Sequence, residues 1–260
     1  MLARLATFSQ ANRRGLRAFP TGASAVADVL PQAVKNWPSA WPFSPEDFAR
    51  RDESRDSLFY ETPRFCYHID EAAVEALRMH YSTAFRAWAR PSILDLCASH
   101  VSHFPLDVSR FAGRRAALGM NVMELQSNTQ VDEFVAQDLN TNTTLPFEDN
   151  SFDIVTNAVS IDYLTQPLAV CKEVCRVLKP GGAAIFSLSN RCFPSKAVDI
   201  WLRTNDLEHV YVVGAYFHYA GGFKPALAEE ISPNKQLAHW QHGVSHNDAY
   251  LSVVTAFVNK

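Results

Sequence analysis

The chain has 260 residues, of which 47% are hydrophobic, enough for one α/β domain of ordinary size with extensions. Its formal net charge of -3 excludes a general nucleic-acid-binding surface, which needs a strongly basic face. No apolar run approaches the roughly 20 residues that span a bilayer, and five cysteines without paired spacing favour free thiols in a reducing compartment.

The first residues differ from the rest in composition. Up to Asp28 they include no acidic residue, but they are rich in arginine and in serine and threonine. This is the composition of an organelle transit peptide. We therefore predict that residues 1–27 direct import into a chloroplast or mitochondrion. The alternative is a disordered basic tail on a cytoplasmic protein.

Residues 28–69 are predicted to form an extended arm that lies on the domain formed by residues 70–260. The prolines in this stretch disfavour both helices and central strands. Three aromatic residues, Trp37, Trp41 and Phe43, are expected to pack against the domain.

The domain itself begins with a helix from about Glu71 to Trp88, because apolar residues recur there at helical spacing and Asp70 can cap the helix. From Ser92 onward, short apolar runs alternate with helical stretches. The predicted strands are SILDL, RAALGM, EFVAQDL, FDIVTNAV, AAIFSLS and AYLSVVTAFV. Such alternation predicts an α/β fold with a Rossmann-like, doubly wound, mostly parallel sheet and helices on both faces. Ligands bind such sheets beyond the carboxyl ends of the strands.

Two motifs in this region carry a family resemblance. The stretch LPFEDNSFDIVTNAVSIDYLTQP is followed, after one helix, by RVLKPGG and an apolar strand. In this order and separation they resemble the class I S-adenosylmethionine-dependent methyltransferases, and most closely the small-molecule subgroup called methyltransferase type 11. The resemblance runs from about Ile93 to Asn190, and ILDLCASHVSHFP and SNRCFP also resemble a plant and algal branch. It implies a seven-stranded sheet, S-adenosyl-L-methionine as cofactor and a small-molecule acceptor.

The resemblance places part of a cofactor site after the first strand. The family has an acid there, which holds the methionine amino group, followed by three glycines at alternate positions. Here the acid is Asp95, and Cys97, Ser99 and Val101 replace the glycines. A left-handed backbone at Cys97 or Ser99 would cost roughly 1 kcal/mol or more, and the bulk of Val101 requires the next helix to lie further away or begin later. The loop residues assigned to the cofactor are Asp95, Leu96, Cys97, Ala98 and Ser99.

The next two strands supply further cofactor positions by the same resemblance. Asn121 stands where the family has an acid for the ribose hydroxyls, with Met120 beside the adenine, and Glu124 could substitute for the acid. The alternative is that Asn121 caps the next helix and Glu124 completes a capping box. Asp138 is expected to accept a hydrogen bond from the adenine amino group, with Leu139 as a wall. The alternative for Asp138 is a plain loop carboxylate.

The tip of the fourth predicted strand is expected to run beside the methionine moiety. Asn157 and Ala158 are assigned to the cofactor there. Asp162 and Tyr163 stand where related enzymes often carry a histidine pair facing the substrate, and either could act as a base if the nucleophile holds a proton. The alternative is that Asp162 only caps the helix that follows.

A metal site is the competing reading of the loop. Cys97, His100 and His103 have a C-x-x-H-x-x-H spacing that could supply three zinc ligands. No fourth ligand stands nearby, and a single tight turn rarely points three ligands inward, so we expect no metal. Cys171 and Cys175, spaced i, i+4, are interpreted as small buried residues of a helix.

The segment after Asn190 is rich in aromatic residues and is expected either to form a lid over the substrate or to belong to the core. Its candidate residues are Arg191, Trp201, Tyr211, Tyr216, His218 and Tyr219. We predict an enzyme that transfers a methyl group from S-adenosylmethionine to a small-molecule acceptor. The alternative is a non-catalytic binding or regulatory protein with the same fold. A nicotinamide-dependent oxidoreductase is disfavoured because the chain has no G-x-G-x-x-G motif. The sequence specifies neither the acceptor nor the oligomeric state.

Overall fold

The computed structural model describes residues 24–233 and 250–260, and within them one seven-stranded sheet forms the centre of the molecule. Its strands are β1 Ile93–Leu96, β2 Arg115–Gly119, β3 Glu133–Ala136, β4 Phe152–Ala158, β5 Leu178–Ser189, β6 Leu227–Glu230 and β7 Leu251–Phe257. Their order across the sheet is β3-β2-β1-β4-β5-β7-β6. Strands β1 to β5 are parallel, and β7 is antiparallel to both of its neighbours. The predicted mostly parallel α/β sheet is confirmed.

Helices cover both faces of this sheet. In the described residues they are α1 Ser24–Ala33, α2 Asp56–Phe59, α3 Glu71–Phe85, α4 Val108–Phe111, α5 Val122–Ser127, α6 Pro167–Val177, α7 Asp199–Arg203 and α8 Asp206–Ala220. Side chains alternate along each strand. On β4, Ile154 therefore joins the cluster under α3 and α4, while Val155 joins the cluster under α1, α6 and α8.

The predicted elements agree with these bounds except at three places. The Asp70 side chain accepts a hydrogen bond of 2.9 Å from the Ala73 N–H, so the predicted cap is confirmed, but the helix ends at Phe85 instead of Trp88. Strand β5 begins at Leu178, before the predicted strand AAIFSLS, and passes through Pro180, Gly181 and Gly182. Strand β6 was not predicted.

The N-terminal arm is not wholly extended, because α1 lies at its start. The boundary placed after residue 27 falls inside this helix, whose Val26, Val29 and Leu30 are buried. Leu30 packs so closely on Gly214 of α8 that a Cβ added there would meet its side chain. Residues 1–23, which carry most of the targeting prediction, lie outside the described residues.

Beyond α1 the arm packs on α8 through its aromatic residues. The ring of Trp37 lies 4.7 Å from that of Tyr211 and stacks on His218 at 5.1 Å. The ring of Trp41 lies 6.0 Å from that of Tyr216. None of the helices described for this chain is long and apolar enough to cross a membrane.

Candidate functional site

A cavity of about 300 Å³ opens at the carboxyl ends of β1 and β2, beside the loop after β3 and the tip of β4. This is the edge of a doubly wound sheet at which ligands bind, and the volume is at the lower end for a small-molecule site. Residues of the arm between 56 and 69, together with residues 191–193, form the opposite wall.

Most of the residues predicted for the site meet in this cavity. It is lined by Asp95, Leu96, Cys97, Ala98, Ser99, Met120, Asn121, Asp138, Leu139, Ala158 and Tyr163. Asn157 and Asp162 are not among the lining residues. The predicted residues thus lie around one cavity. That each of them binds the cofactor stays a prediction.

Asp95 is the most deeply buried carboxyl group of the cavity, with 1% of its surface exposed. The Thr156 hydroxyl donates a 2.7 Å hydrogen bond to its Oδ1. Burial raises the pKa of Asp95 to about 7, although hydrogen bonds from Ser102 and Thr156 oppose the shift. A cation that entered the cavity would stabilise the ionised form of Asp95, which burial disfavours.

The glycine-free loop after β1 is accommodated in two ways. Cys97 adopts a left-handed backbone with φ of 56°, the strained conformation that the missing glycine would have relieved. Val101 is followed by no helix until α4 begins at Val108, as its bulk predicted. Ala98 is held by a 2.9 Å hydrogen bond from its N–H to the Leu118 carbonyl.

Asn121 caps α5, as the alternative interpretation had it. Its Oδ1 accepts hydrogen bonds from the N–H groups of Met123 and Glu124, and its Nδ2 donates to the carbonyls of Tyr60 and Glu61 at 2.8 and 3.0 Å. The side-chain amide is therefore fully engaged by the protein and has no donor left for a ribose.

Glu124 does not complete a capping box, which corrects that part of the interpretation. Its Oε1 accepts a 2.6 Å hydrogen bond from the Arg64 N–H of the arm, and its Oε2 accepts a 2.6 Å bond from the Ser99 hydroxyl of the loop. This buried carboxylate lines the cavity and joins the loop after β1 to the arm. Each oxygen keeps a lone pair for a further donor.

Asp138 shapes the loop after β3. Its Oδ1 accepts a 2.8 Å hydrogen bond from the Asn140 N–H, and its Oδ2 accepts one of 2.8 Å from the Thr141 hydroxyl. The residue is half-buried, and the neighbouring Leu139 is buried beside it in the cavity wall. The carboxylate is thus both a loop residue and a cavity residue.

Of the predicted catalytic pair, Tyr163 lines the cavity and Asp162 does not, and the role of either residue as a base stays a prediction. Asp162 is buried, its Oδ2 has no hydrogen-bond partner in the described part of the chain, and burial raises its pKa well above the usual range. Burial likewise raises the pKa of Tyr163, whose hydroxyl accepts a 2.9 Å hydrogen bond from the Phe193 N–H. Asp162 is not the cap of the next helix either, because α6 begins after Gln166.

Asn157 supports the site from behind instead of lining it. Its buried Nδ2 donates a 3.3 Å hydrogen bond to the Leu96 carbonyl, and its Oδ1 accepts one of 3.3 Å from the Ser160 N–H. These bonds tie the tip of β4 to the end of β1. Ala158, the next residue, does face the cavity.

In the described residues, the two loop histidines do not belong to a group of metal ligands. His100 Nδ1 lies 3.1 Å from the Ser99 hydroxyl oxygen, and its ring stacks on Tyr67. His103 is buried, and burial lowers its pKa to about 4, so the ring is neutral at pH 7. Within residues 24–233 and 250–260, no three His, Cys, Asp or Glu side chains are grouped to hold a metal ion. Cys171 is buried in the core, and Cys175 packs partly buried against it.

The arm supplies the cover of the cavity, which sequence reasoning missed. Its lining residues are Asp56, Tyr60, Arg64, Cys66, Tyr67, His68 and Ile69. The only signal in the sequence was their aromatic and basic character in a stretch without helical or strand periodicity. Of the six candidates after Asn190, Arg191 lines the cavity, whereas Trp201 and Tyr216 are core residues, as the alternative interpretation had it.

A buried ion cluster holds the arm in this position. Arg50 donates two hydrogen bonds to the Asp56 carboxylate at 2.7 and 2.8 Å. The fully buried Lys196 places its ammonium 3.2 Å from Asp56 Oδ1, and Asn140 Nδ2 donates to Oδ2 at 2.8 Å. Burial alone would raise the pKa of Asp56, but these partners lower it below the usual range. Asp56 therefore connects the arm, the loop after β3 and the segment after β5.

Comparisons with known proteins agree with this architecture. Residues 114–186 match the family described as Methyltransferase domain. A malonyl-[acyl-carrier protein] O-methyltransferase from Marinomonas is 34% identical over 67 residues, which are 26% of this chain and 25% of that protein. A demethylmenaquinone methyltransferase from Paenarthrobacter aurescens is 30% identical over 118 residues, 45% of this chain and 39% of that protein. The chain therefore spans well under half the length of these relatives.

A solved structure gives the same result for the fold. A protein described as an S-adenosylmethionine dependent methyltransferase from Listeria monocytogenes superposes with a TM-score of 0.51 at 13% identity, over 74% of this chain and 100% of that one. At this identity the likeness concerns the fold alone. The chain has the fold of the class I S-adenosylmethionine-dependent methyltransferases, and residues 114–186 are similar to the methyltransferase domain family.

Proposed function

We propose that this chain transfers a methyl group from S-adenosylmethionine to a small-molecule acceptor. The observation that carries the proposal is the convergence of three carboxyl groups, Asp95, Glu124 and Asp138, on one cavity at the ligand-binding edge of the sheet. Carboxylates spread along a cavity suit a ligand with a cationic amino acid at one end and a nucleoside at the other.

The lining residues fit such a cofactor with one rearrangement. The buried Asp95 lacks a cationic partner among the described residues, and an ammonium group would offset the burial that raises its pKa. Asn121 does not fit the ribose, because its amide already makes four hydrogen bonds to the protein. Glu124, one helical turn further on, has free lone pairs and takes this role in our proposal.

When bound, S-adenosylmethionine would supply an activated methyl group on its sulfonium. The chain's part is then to align the acceptor and exclude water, since methyl transfer is an in-line displacement. Asp95 orients the amino-acid end, and the arm covers the cavity. Where the acceptor holds a proton, His68 is the candidate base, because it lines the cavity and desolvation lowers the pKa of its imidazole.

The acceptor should be a small molecule that packs against aromatic side chains. The cover places the rings of Tyr67, His68 and Phe193 along the cavity. The names of the two relatives suggest two acceptors to try, a demethylmenaquinol-type naphthoquinol and a malonyl thioester. A flat ring fits between aromatic side chains better than a thioester chain does, so we propose the quinol class.

Transfer of isotope-labelled methyl from S-adenosylmethionine tests the proposal. The native chain should label an added naphthoquinol, and Asp95→Asn should reduce the rate by roughly tenfold or more at limiting cofactor. Asp132→Asn is the matched control, because this carboxylate pairs with Arg115 at the opposite edge of the sheet. Cofactor binding without transfer to any acceptor would favour the non-catalytic binding protein instead.

We also propose that the first residues direct the chain to a chloroplast or mitochondrion. The support is their acid-free, arginine-rich composition. Residues 1–35 fused to a fluorescent reporter should carry it into one of these organelles. A reporter that stays diffuse in the cytosol would contradict the proposal.

A further inference from the structure

Arg64 has a fixed place in the cover of the cavity. Its main-chain N–H donates the 2.6 Å hydrogen bond to Glu124, and its side chain lines the cavity. The neighbouring main-chain carbonyls of Tyr60 and Glu61 accept hydrogen bonds from Asn121. Three main-chain contacts thus hold this part of the arm on α5, whatever side chain stands at position 64.

The guanidinium of Arg64 lies among three aromatic rings. Its Cζ is 4.6 Å from the centre of the Phe59 ring, 5.5 Å from Phe193 and 5.9 Å from Tyr60. A planar cation is stabilised against ring faces, and such a set of rings holds it in one orientation without neutralising its charge. The cation is therefore preorganised.

The hydrogen-bonding capacity of this guanidinium is mostly unused. Nη2 donates a 3.0 Å hydrogen bond to the Phe59 carbonyl, and Nη1 is buried with no acceptor within the described ranges 24–233 and 250–260. No carboxylate in those ranges forms an ion pair with Arg64, whereas Arg50 and Arg176 each pair with two carboxylates. A buried donor without an acceptor is rare in folded proteins and indicates a missing partner.

We infer that Arg64 is the carboxylate-binding residue of the cavity. Its fork of N–H donors matches the two oxygens of a carboxylate, and in the part of the chain that the structure describes no acceptor competes for Nη1. Two sources offer this chemistry, the amino-acid carboxylate of the cofactor and a carboxylate on the acceptor. For the cofactor carboxylate, the inference rests on the proposed function. For a carboxylate on another ligand it does not, because such a ligand can bind Arg64 without a nucleoside.

Three probes separate the sources in titration calorimetry. S-Adenosylhomocysteine carries the amino-acid carboxylate, 5′-methylthioadenosine lacks it, and benzoate is an aromatic carboxylate without a nucleoside. Each is titrated into the native chain, Arg64→Gln and Arg64→Lys, and benzoate is also titrated after saturation with S-adenosylhomocysteine. Arg115→Gln, at the opposite edge of the sheet, is the control, and circular dichroism checks that every variant is folded.

A cofactor source predicts that the native chain prefers S-adenosylhomocysteine over 5′-methylthioadenosine by roughly tenfold or more and that Arg64→Gln reduces this preference by roughly tenfold, because Asp95 still holds the ammonium group. An acceptor source predicts unchanged nucleoside affinities in Arg64→Gln and roughly tenfold weaker benzoate binding to the S-adenosylhomocysteine-bound chain. Arg64→Lys, which keeps the charge but not the fork, should fall between native and Gln in either case.

The inference is overturned if Arg64→Gln changes none of the three affinities. It is equally overturned if all three fall by one common factor, because that pattern reports a structural role. If the native chain binds neither nucleoside but binds benzoate through Arg64, the methyltransferase proposal falls and the carboxylate site stands. If the native chain binds none of the probes, both fall.

Discussion

The carbonyl oxygen of Ala98 lies so close to Gly119 that a Cβ on Gly119 would overlap it. The glycine-free loop after β1 therefore depends on a glycine at the end of the neighbouring strand. Strand β2 thus provides the room for this loop, and the hydrogen bond from the Ala98 N–H to the Leu118 carbonyl holds the loop and the strand together.

Gly119→Ala should displace this loop. The added methyl group meets main-chain atoms, which cannot move aside as a flexible side chain can, so we expect a loss of about 1–3 kcal/mol in the free energy of unfolding. We expect at least tenfold weaker binding of S-adenosylhomocysteine. Urea unfolding and calorimetry measure the two effects.

Gly214→Ala is the matched control for that variant. Its methyl group presses on the side chain of Leu30, away from the cavity, so stability should fall while the affinity stays near native. Equal losses of affinity in the two variants would show that the Ala98 to Gly119 contact has no special part in the site.

Restoring glycine at Cys97 and at Ser99 should have different outcomes. Cys97→Gly relieves the left-handed backbone, a gain of roughly 1 kcal/mol that unfolded-state entropy of about 0.5–1 kcal/mol offsets, so stability should stay near native. Ser99→Gly removes the hydroxyl that donates to Glu124 and should cost about 1–3 kcal/mol. Chemical unfolding of each single variant decides, and a Ser99→Gly chain as stable as native would contradict the role of that hydrogen bond.

Lys196→Met tests the cluster that holds the arm. Removing a fully buried ammonium from between Asp52 and Asp56 should cost about 3–5 kcal/mol, reduced by the partners that Asp56 keeps in Arg50 and Asn140. Hydrogen exchange should rise in residues 50–64 more than in β4. An increase spread evenly over both would show that Lys196 serves the whole fold and not the arm.

The pH dependence of binding tests Asp95. The folded chain holds a proton on this carboxyl up to about pH 7, whereas the unfolded chain releases it near its ordinary value of 3.8. The free energy of unfolding should therefore fall as pH rises through this window, by up to a few kcal/mol. A cationic ligand selects the carboxylate, so the affinity for S-adenosylhomocysteine should rise by up to roughly tenfold per pH unit below the pKa.

Asp95→Asn should remove the pH dependence of the free energy of unfolding and of the affinity for S-adenosylhomocysteine between pH 5 and 7. Calorimetry in two buffers with different ionisation enthalpies would show proton release on binding in the native chain and not in the variant. If the two chains had superimposable pH profiles, another group would be titrating and Asp95 would not hold the cation.

The strands of the sheet were predictable because each central one is a short apolar run bounded by polar or turn residues. The sequence LAEE of β6 has no such pattern, since it lies at the edge of the sheet and half of its side chains are exposed. The extension of β5 through Pro180 was hidden because proline and two glycines normally indicate a turn.

The site was predictable where the resemblance supplied a strand end, and not elsewhere. Asp95, Ser99 and Asp138 reach the cavity because the parallel strands they follow end at one edge. The role of Glu124 depends on Arg64, 60 residues away, and no local pattern connects the two. The position of the arm over the cavity could not be predicted for the same reason. It depends on Asp56, Lys196 and Asn140, which meet only in the folded chain.

Titration of S-adenosylhomocysteine into the native chain, Asp95→Asn and Asp138→Ala tests the central claim most directly. We expect binding to the native chain, and roughly ten- to a hundredfold weaker binding to each variant, because each loses a charge-assisted hydrogen bond at one end of the ligand. A folded native chain that shows no binding at millimolar ligand, or affinities unchanged in both variants, would contradict the account.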